Sequence, residues 1–210
     1  MKKAALGLVI CIGLFLAWRL CESRFVPGPP IARSGIDSDP VQTLYEKPPA
    51  LISVQGWQLQ PLASYQITGR VLAIKSYQDA AAGDLAPYDV AVGWGPMAKG
   101  EILEKLDISQ KDRFMHWHYW TERPPLPEHE IVTHCANIHV IPADDVLRQQ
   151  MGKLKVGAVV KMEGDLVEAR HPRAEHPWRS SLSREDTGEG ACELLYLRTL
   201  QTGGSGPMKR

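Results

Sequence analysis

The chain has 210 residues, with 24 Lys+Arg against 24 Asp+Glu and no long basic run. That balance argues against a nucleic-acid binder, which needs a basic face to replace phosphate counterions. Its 18 glycines and 16 prolines indicate many turns around one domain of ordinary size.

Lys2 and Lys3 precede an uncharged apolar run from Ala4 to Trp18. The run has no polar face, so it does not read as a helix on the surface of a soluble domain. Its fifteen residues would cover about 22 Å as a helix, against a hydrocarbon core of roughly 30 Å. Leu20 and Cys21, with Arg19 snorkelling to the headgroups, bring the segment close to a span. The rival is a cleaved signal peptide, which needs small residues at alternate positions. Ala17-Trp18-Arg19-Leu20-Cys21 supplies none, and a lipidation site would need a small residue before the cysteine. The expectation is a signal-anchor over residues 1–23 in a bacterial inner membrane. The leading lysines favour a cytoplasmic N-terminus and a periplasmic domain.

Residues 24–50 carry Pro27, Pro29, Pro30, Pro40, Pro48 and Pro49 and read as an extended spacer. Val41, Leu44 and Tyr45 could pack part of it on the domain, which is expected over residues 51–202. Tyr65, Ile67, Val71 and Ala73 share a face at period two in a long strand, with Gly69 as a bulge or bend. Tyr88 to Gly93 is a second strand, ending at Trp94-Gly95-Pro96. Ile102, Leu103 and Leu106 fit a short amphipathic helix. Phe114 to Trp120 reads as an aromatic strand, broken by Pro124, Pro125 and Pro127. Ile131 and Val132 begin another strand, continued or followed by Ile138 to Ile141. Asp144 or Asp145 caps a helix that stops at Gly152. Val160, Met162 and Leu166 alternate with charged residues in a half-buried strand or pair of strands, with a bend at Gly164, and Leu194 to Leu200 closes the domain. Residues 203–210 form a Gly-rich tail expected to be disordered. The fold class is mainly β with two short helices, as a small OB-like closed or partly open barrel.

His116 and His118 lie on one face of the aromatic strand, about 7 Å apart. With His139 or His134 as a third ligand they could hold a metal; the alternative is a pair of partly exposed histidines. Asp186-Thr187-Gly188 matches the aspartic-protease triplet, but it occurs once between polar flanks, whereas that chemistry needs two carboxylates sharing a proton. Ser181, Ser183, Arg184, Asp186 and Thr187 lie in a long loop before the last strand, where Gly188 and Gly190 permit positive φ. That loop is either a ligand-binding element, with Arg184 meeting an anionic group, or a self-satisfied Ω-like loop. Cys135 and Cys192 are the two cysteines outside the apolar segment. They could form a disulfide in an oxidising compartment or stand as separate buried thiols. No G-x-S-x-G or S-x-x-K supports a serine nucleophile.

Asp89-Val-Ala-Val-Gly-Trp-Gly-Pro-Met97, Ile108-Ser-Gln110, Asn137-x-His139-x-Ile-Pro-Ala143 and the stretch from Ser180 to Glu193 together carry a resemblance. The chain from about Asp89 onward resembles an uncharacterised family of bacterial membrane-anchored exported proteins. The resemblance implies no activity and carries over no functional residue. The functional expectation is a membrane-tethered periplasmic binding or scaffold domain that contacts another envelope protein, without a cofactor. The alternative is a small metal-dependent envelope hydrolase built on His116, His118 and His139.

Overall fold

The computed structural model describes residues 35–77, 85–186, 188 and 190–203. The expected signal-anchor, Thr187 and the tail from residue 204 lie outside the described residues. Among the described residues no helix is long and apolar enough to cross a membrane.

The chain is mainly β. Strands β1 (Val41–Leu44) and β2 (Ile52–Val54) lead into β3 (Trp57–Ser76), and β4 (Tyr88–Gly93) follows. A 3-10 turn (Gly95–Ala98) and α1 (Gly100–Leu103) precede the hairpin of β5 (Leu106–Lys111) and β6 (Phe114–Tyr119). Then come α2 (Glu128–Thr133), β7 (Cys135–Pro142), α3 (Asp145–Gly152), β8 (Val159–Arg170), β9 (Trp178–Arg179) and β10 (Glu193–Gly203).

Five strands close a ring in the order β3-β4-β7-β10-β8 and back to β3. Every pairing in it is antiparallel except β7 with β10. Strand β3 makes closure possible by its length of 20 residues. One of its edges takes β2, β1 and β4 in succession, while β8 runs along the other from Gln58 to Arg70.

Alternation places Tyr65, Ile67 and Val71 inside the ring with Val90, Ile138, Val160, Met162 and Leu195. Leu147 and Met151 of α3 join this interior. Asp144 caps α3, its carboxylate accepting from the Leu147 amide at 2.8 Å. Ala73 leaves the predicted face and joins a second cluster, outside the ring, with Leu72 and Met97. The cause is a register shift between Val71 and Ala73, since one extra residue reverses the side-chain alternation. The bulge is therefore at Leu72, whereas Gly69 stays in register opposite Val160.

Gly69 and Gly164 are among the glycines that close approach requires. A Cβ on Gly69 would lie 2.7 Å from the Gly93 carbonyl oxygen and against Val92. A Cβ on Gly164, which pairs with both Tyr65 and Leu197, would run into the Tyr196 carbonyl. Because that obstacle is backbone in the ring wall, Gly164→Ala is expected to destabilise the domain by about 2–4 kcal/mol, in the range of severe overpacking. A urea midpoint unchanged from the wild type would refute that close approach.

Several elements differ from expectation. Among the described residues three short helices form, not two. Ile131 and Val132 lie in α2 rather than starting a strand, with Ile131 fully buried against the outer cluster. The amphipathic signal around Ile102 and Leu106 divides between α1 and β5, and β5 pairs with β6 as a separate two-stranded sheet. The domain also begins before Leu51. Strand β1 pairs with Ala63–Gln66 through its backbone, while Val41 and Leu44 stay 62% and 60% exposed. Polar ties hold this segment: Tyr45 donates to Asp165 at 2.6 Å, and Trp94 donates through Nε1 to Asp39 at 3.0 Å.

Candidate functional site

The stretch from Ser180 to Glu193 folds as a loop with a closed neck. The Ser181 amide donates to the Cys192 carbonyl at 2.9 Å, and the Leu194 amide donates to Ser180 Oγ at 3.0 Å. Ser181 donates its hydroxyl to Asp186 at 2.6 Å and accepts from the Ser183 amide at 3.0 Å. Ser183 Oγ accepts from the Glu185 amide. Gly188 and Gly190 adopt φ of +83° and +86°, conformations that favour glycine. Ser181, Ser183 and Asp186 thus shape the loop by bonding within it. Arg184 reaches out of it, donating to the Pro40 carbonyl at 3.2 Å and approaching Asp39 at 3.8 Å.

Between this loop and strand β6 lies a pocket of about 220 Å³. Met115, Trp117 and Val132 form its apolar wall, and Arg184, Asp186 and Glu193 supply charge. Glu193 opens β10 opposite Ile138, so its side chain shares the inward face with the ring interior. It is only 5% exposed, and its Oε2 has no hydrogen-bond partner among the described residues. Burial pushes its carboxyl up to about 8; Asp186 adds to the shift, against its own backbone amide and Arg184. Glu193 therefore holds its proton at neutral pH. The Tyr65 hydroxyl, also buried without a partner, is pushed up by burial and then by the Glu193 charge.

Cys135 and Cys192 both line the pocket as free thiols, so of the two alternatives the structure has the separate thiols and not the bridge. The strand register explains this. Glu193 pairs with Ile138, which places Cys192 beside Asn137, two residues along β7 from Cys135. Two residues of rise plus one strand spacing separate the Cα atoms by roughly 8 Å, beyond disulfide reach. Instead Cys135 donates to the Ile131 carbonyl at 2.9 Å, and Cys192 accepts from Asn137 at 3.4 Å. Burial raises both thiols, Cys135 to about 12, which removes them as nucleophiles at neutral pH.

The predicted histidines do not converge. Packing of Met115 and Trp117 on the outer cluster turns His116 and His118 to the solvent side of β6. His118 lies 3.5 Å from Asp107. His134 Nδ1 bonds the Glu130 carbonyl at 2.8 Å. His139 is buried, with Nδ1 2.7 Å from Asp89 and its ring 5.0 Å from Trp178. Among the described residues no three His, Cys, Asp or Glu side chains are grouped to hold a metal. The triplet carboxylate, Asp186, is engaged by Ser181.

Sequence reasoning missed a second buried polar group beside the pocket. Asp89 is fully buried on the outer face of β4 and accepts from both His139 and Arg113. Arg113 sits in the two-residue turn of the β5–β6 hairpin, where Asp112 and Arg113 have φ of +52° and +71°, the signs of a type I′ turn. Its guanidinium donates to Asp89 at 2.9 Å and to the Ala86 carbonyl at 2.9 Å, and lies 3.8 Å over the Tyr77 ring. Asn137 completes the contact: it donates to the Arg113 carbonyl at 2.8 Å and accepts from Gln110 at 2.7 Å. The hairpin is thereby latched onto the ring. The signal available in the sequence was an aspartate inside the apolar run Tyr88 to Gly93, since an unpaired buried carboxylate is rarely tolerated.

Compared with family models, curated proteins and solved structures, the chain matches none.

Proposed function

We propose that this chain is a membrane-tethered periplasmic binding domain, contacting its ligand or envelope partner at the pocket beneath the Ser181–Glu193 loop. The observation that carries this reading is the pocket itself: an apolar wall of Met115, Trp117 and Val132 beside the charged residues Arg184 and Asp186. Such a mix of apolar surface and a few placed polar groups is the usual composition of a ligand site. The thiols are held protonated and the histidines stand apart, which favours binding over chemistry.

The fold reading behind this proposal is an OB-like barrel. Its supports are the five-strand ring, the parallel pairing of the third and fifth members, and α3 between the third and fourth. Barrels of that order place ligands on the face of strands two and three and on the loops joining one to two and four to five. Here the strand face is covered by the latched hairpin, and the segment joining the fourth and fifth members carries the Ser181–Cys192 loop. What remains open is the pocket at the hairpin's edge.

The test is capture of partners from membranes by the tagged full-length chain, wild type against Arg184→Ala. A partner held by the wild type and lost from the variant is expected, with equal circular dichroism. Recovery of identical partners by both would count against the loop as the contact. Carbonate extraction and protease accessibility of the same membranes test the tether: a chain released by carbonate, or shielded on the cytoplasmic side, would overturn it.

A further inference from the structure

The arm of the loop that walls the pocket, Leu182 to Asp186, is fastened to a segment far away in the chain. We propose that residues 36–45 form a strap that holds this arm closed over the pocket, and that releasing the strap opens it. The strap governs access to the pocket, so its purpose rests on the binding reading. Its hold on the arm is measured without a ligand.

The attachments come first. Ser183, Arg184 and Asp186 line the pocket. Gln42 donates from Nε2 to the Leu182 carbonyl at 3.0 Å. Arg184 donates to the Pro40 carbonyl at 3.2 Å and lies 3.8 Å from Asp39. Among the described residues, these are the hydrogen bonds and ion pairs by which Leu182 to Asp186 reach outside the loop. The other bonds of the arm, through Ser181 and Ser183, stay within it. Its remaining hold is apolar, since Leu182 packs partly buried against the ring interior. The serine bonds therefore fix the arm's shape; the strap, with Leu182, fixes where that shape sits.

The strap's own fastening comes second. Strand β1 pairs with Ala63–Gln66, Asp39 accepts from Trp94 Nε1 at 3.0 Å, and the Ile36 carbonyl accepts from the Gly95 amide at 2.8 Å. Tyr45 donates to Asp165, which also accepts from Arg198 at 2.7 Å. Apolar burial adds little: Pro40 is buried, but Val41 and Leu44 stay exposed. A segment held by edge pairing and polar ties opens at lower cost than the core strands, because few buried apolar contacts are lost. Lifting it removes every polar tie of the arm together. That frees the charged side of the pocket, Arg184 and Asp186, from the side formed by Met115 and Trp117.

The experiment uses the full-length chain in detergent and reads Cys192, a free thiol in the pocket lining. Its modification by N-ethylmaleimide at pH 7 is followed by peptide mass spectrometry, which separates it from Cys11, Cys21 and Cys135. Gln42→Leu removes the donor to Leu182. Asp39→Asn removes the charge facing Arg184 and keeps an acceptor for Trp94, and neither position lines the pocket. In the double variant Cys192 is expected to react about fivefold faster or more, the effect of losing about one net hydrogen bond of closure. Amide exchange in β7 and β8 should not change. Thr43→Ala, at an exposed strap position, should keep the wild-type rate. An unchanged Cys192 rate in the double variant overturns the strap, and so does an equal rise in Thr43→Ala. A faster rate matched by faster exchange throughout β7 and β8 also overturns it, because the whole ring has then loosened. Should the double variant fail to fold, Gln42→Leu alone is judged by the same criteria. The binding reading stands or falls separately, on membrane capture.

Discussion

Arg113→Ala is expected to destabilise the domain by about 3–5 kcal/mol, the cost of leaving a buried charge without its partner. Asp89 has no exposed side-chain surface, while Arg113 retains 20%. The variant would leave Asp89 with His139 alone, free the Ala86 carbonyl and uncover Tyr77. Arg113→Lys should recover only part of the loss, because one ammonium can serve Asp89 and Ala86 as the single Arg113 nitrogen does, but it lacks the flat guanidinium that covers the Tyr77 ring. Arg113→Gly separates the latch from the backbone. At φ of +71° glycine avoids the left-handed penalty that alanine carries, so it should be more stable than the alanine variant by about 1 kcal/mol. In Asp89→Asn the effect of removing Arg113 should shrink, since the two residues share one interaction. Urea midpoints for the four variants provide the measurement. A loss below about 1 kcal/mol for Arg113→Ala would mean that the latch is ornamental and the hairpin is held by its apolar face.

The second large effect depends on pH. Glu193 has a folded value of about 8 against an ordinary 4.5, so its carboxyl is raised by folding. Below the ordinary value both states hold the proton, and the group has no effect on stability. As pH rises through that window the unfolded chain loses the proton and the folded chain keeps it, so stability falls. The slope approaches 1.4 kcal/mol per pH unit and the whole change is on the order of 5 kcal/mol. Above the folded value the slope from this group ends. Glu193→Gln keeps the shape of the protonated acid and cannot ionise. Relative to wild type it should gain stability steadily between pH 5 and 8, and be the more stable protein at pH 8. Other carboxyls act in the opposite sense at lower pH. Glu168, lowered chiefly by its hydrogen bond from Arg179, contributes stability that is lost as pH falls. The difference between variant and wild type isolates Glu193 from these. Parallel stability profiles across pH 5–8 would show that Glu193 ionises freely in the folded chain.

These two groups show where the sequence was legible and where it was not. The helix stopping at Gly152 could be read because its signals are local: a capping aspartate, apolar spacing and a terminating glycine. The aromatic strand and the strand from Tyr88 could be read from composition and alternation. The polar run of β5 was not legible, because Asp107, Ser109 and Gln110 mask the alternation of Leu106 and Ile108. Helix α2 was read as a strand from Ile131 and Val132, since two adjacent apolar residues carry no period. His116 and His118 do share a face, but Met115 and Trp117 claim the packed one, so the pair points away from His139.

What the sequence determined by itself is the local material of this protein: strand-forming runs, their turns, one capped helix, and a loop whose serines and glycines bend it back on itself. Those features depend on neighbours within a few residues, where side-chain geometry and backbone preference act directly. The tertiary structure alone decided the ring closure of β8 on β3, the bulge at Leu72 that turns Ala73 outward, and the register that keeps Cys135 and Cys192 apart. It also decided that Asp89 and Arg113 meet, and that Glu193 faces inward with an oxygen to spare. Each is a relation between residues far apart in the chain. Burial and pairing set their energies, and neither is a property of a residue until the fold places it beside another.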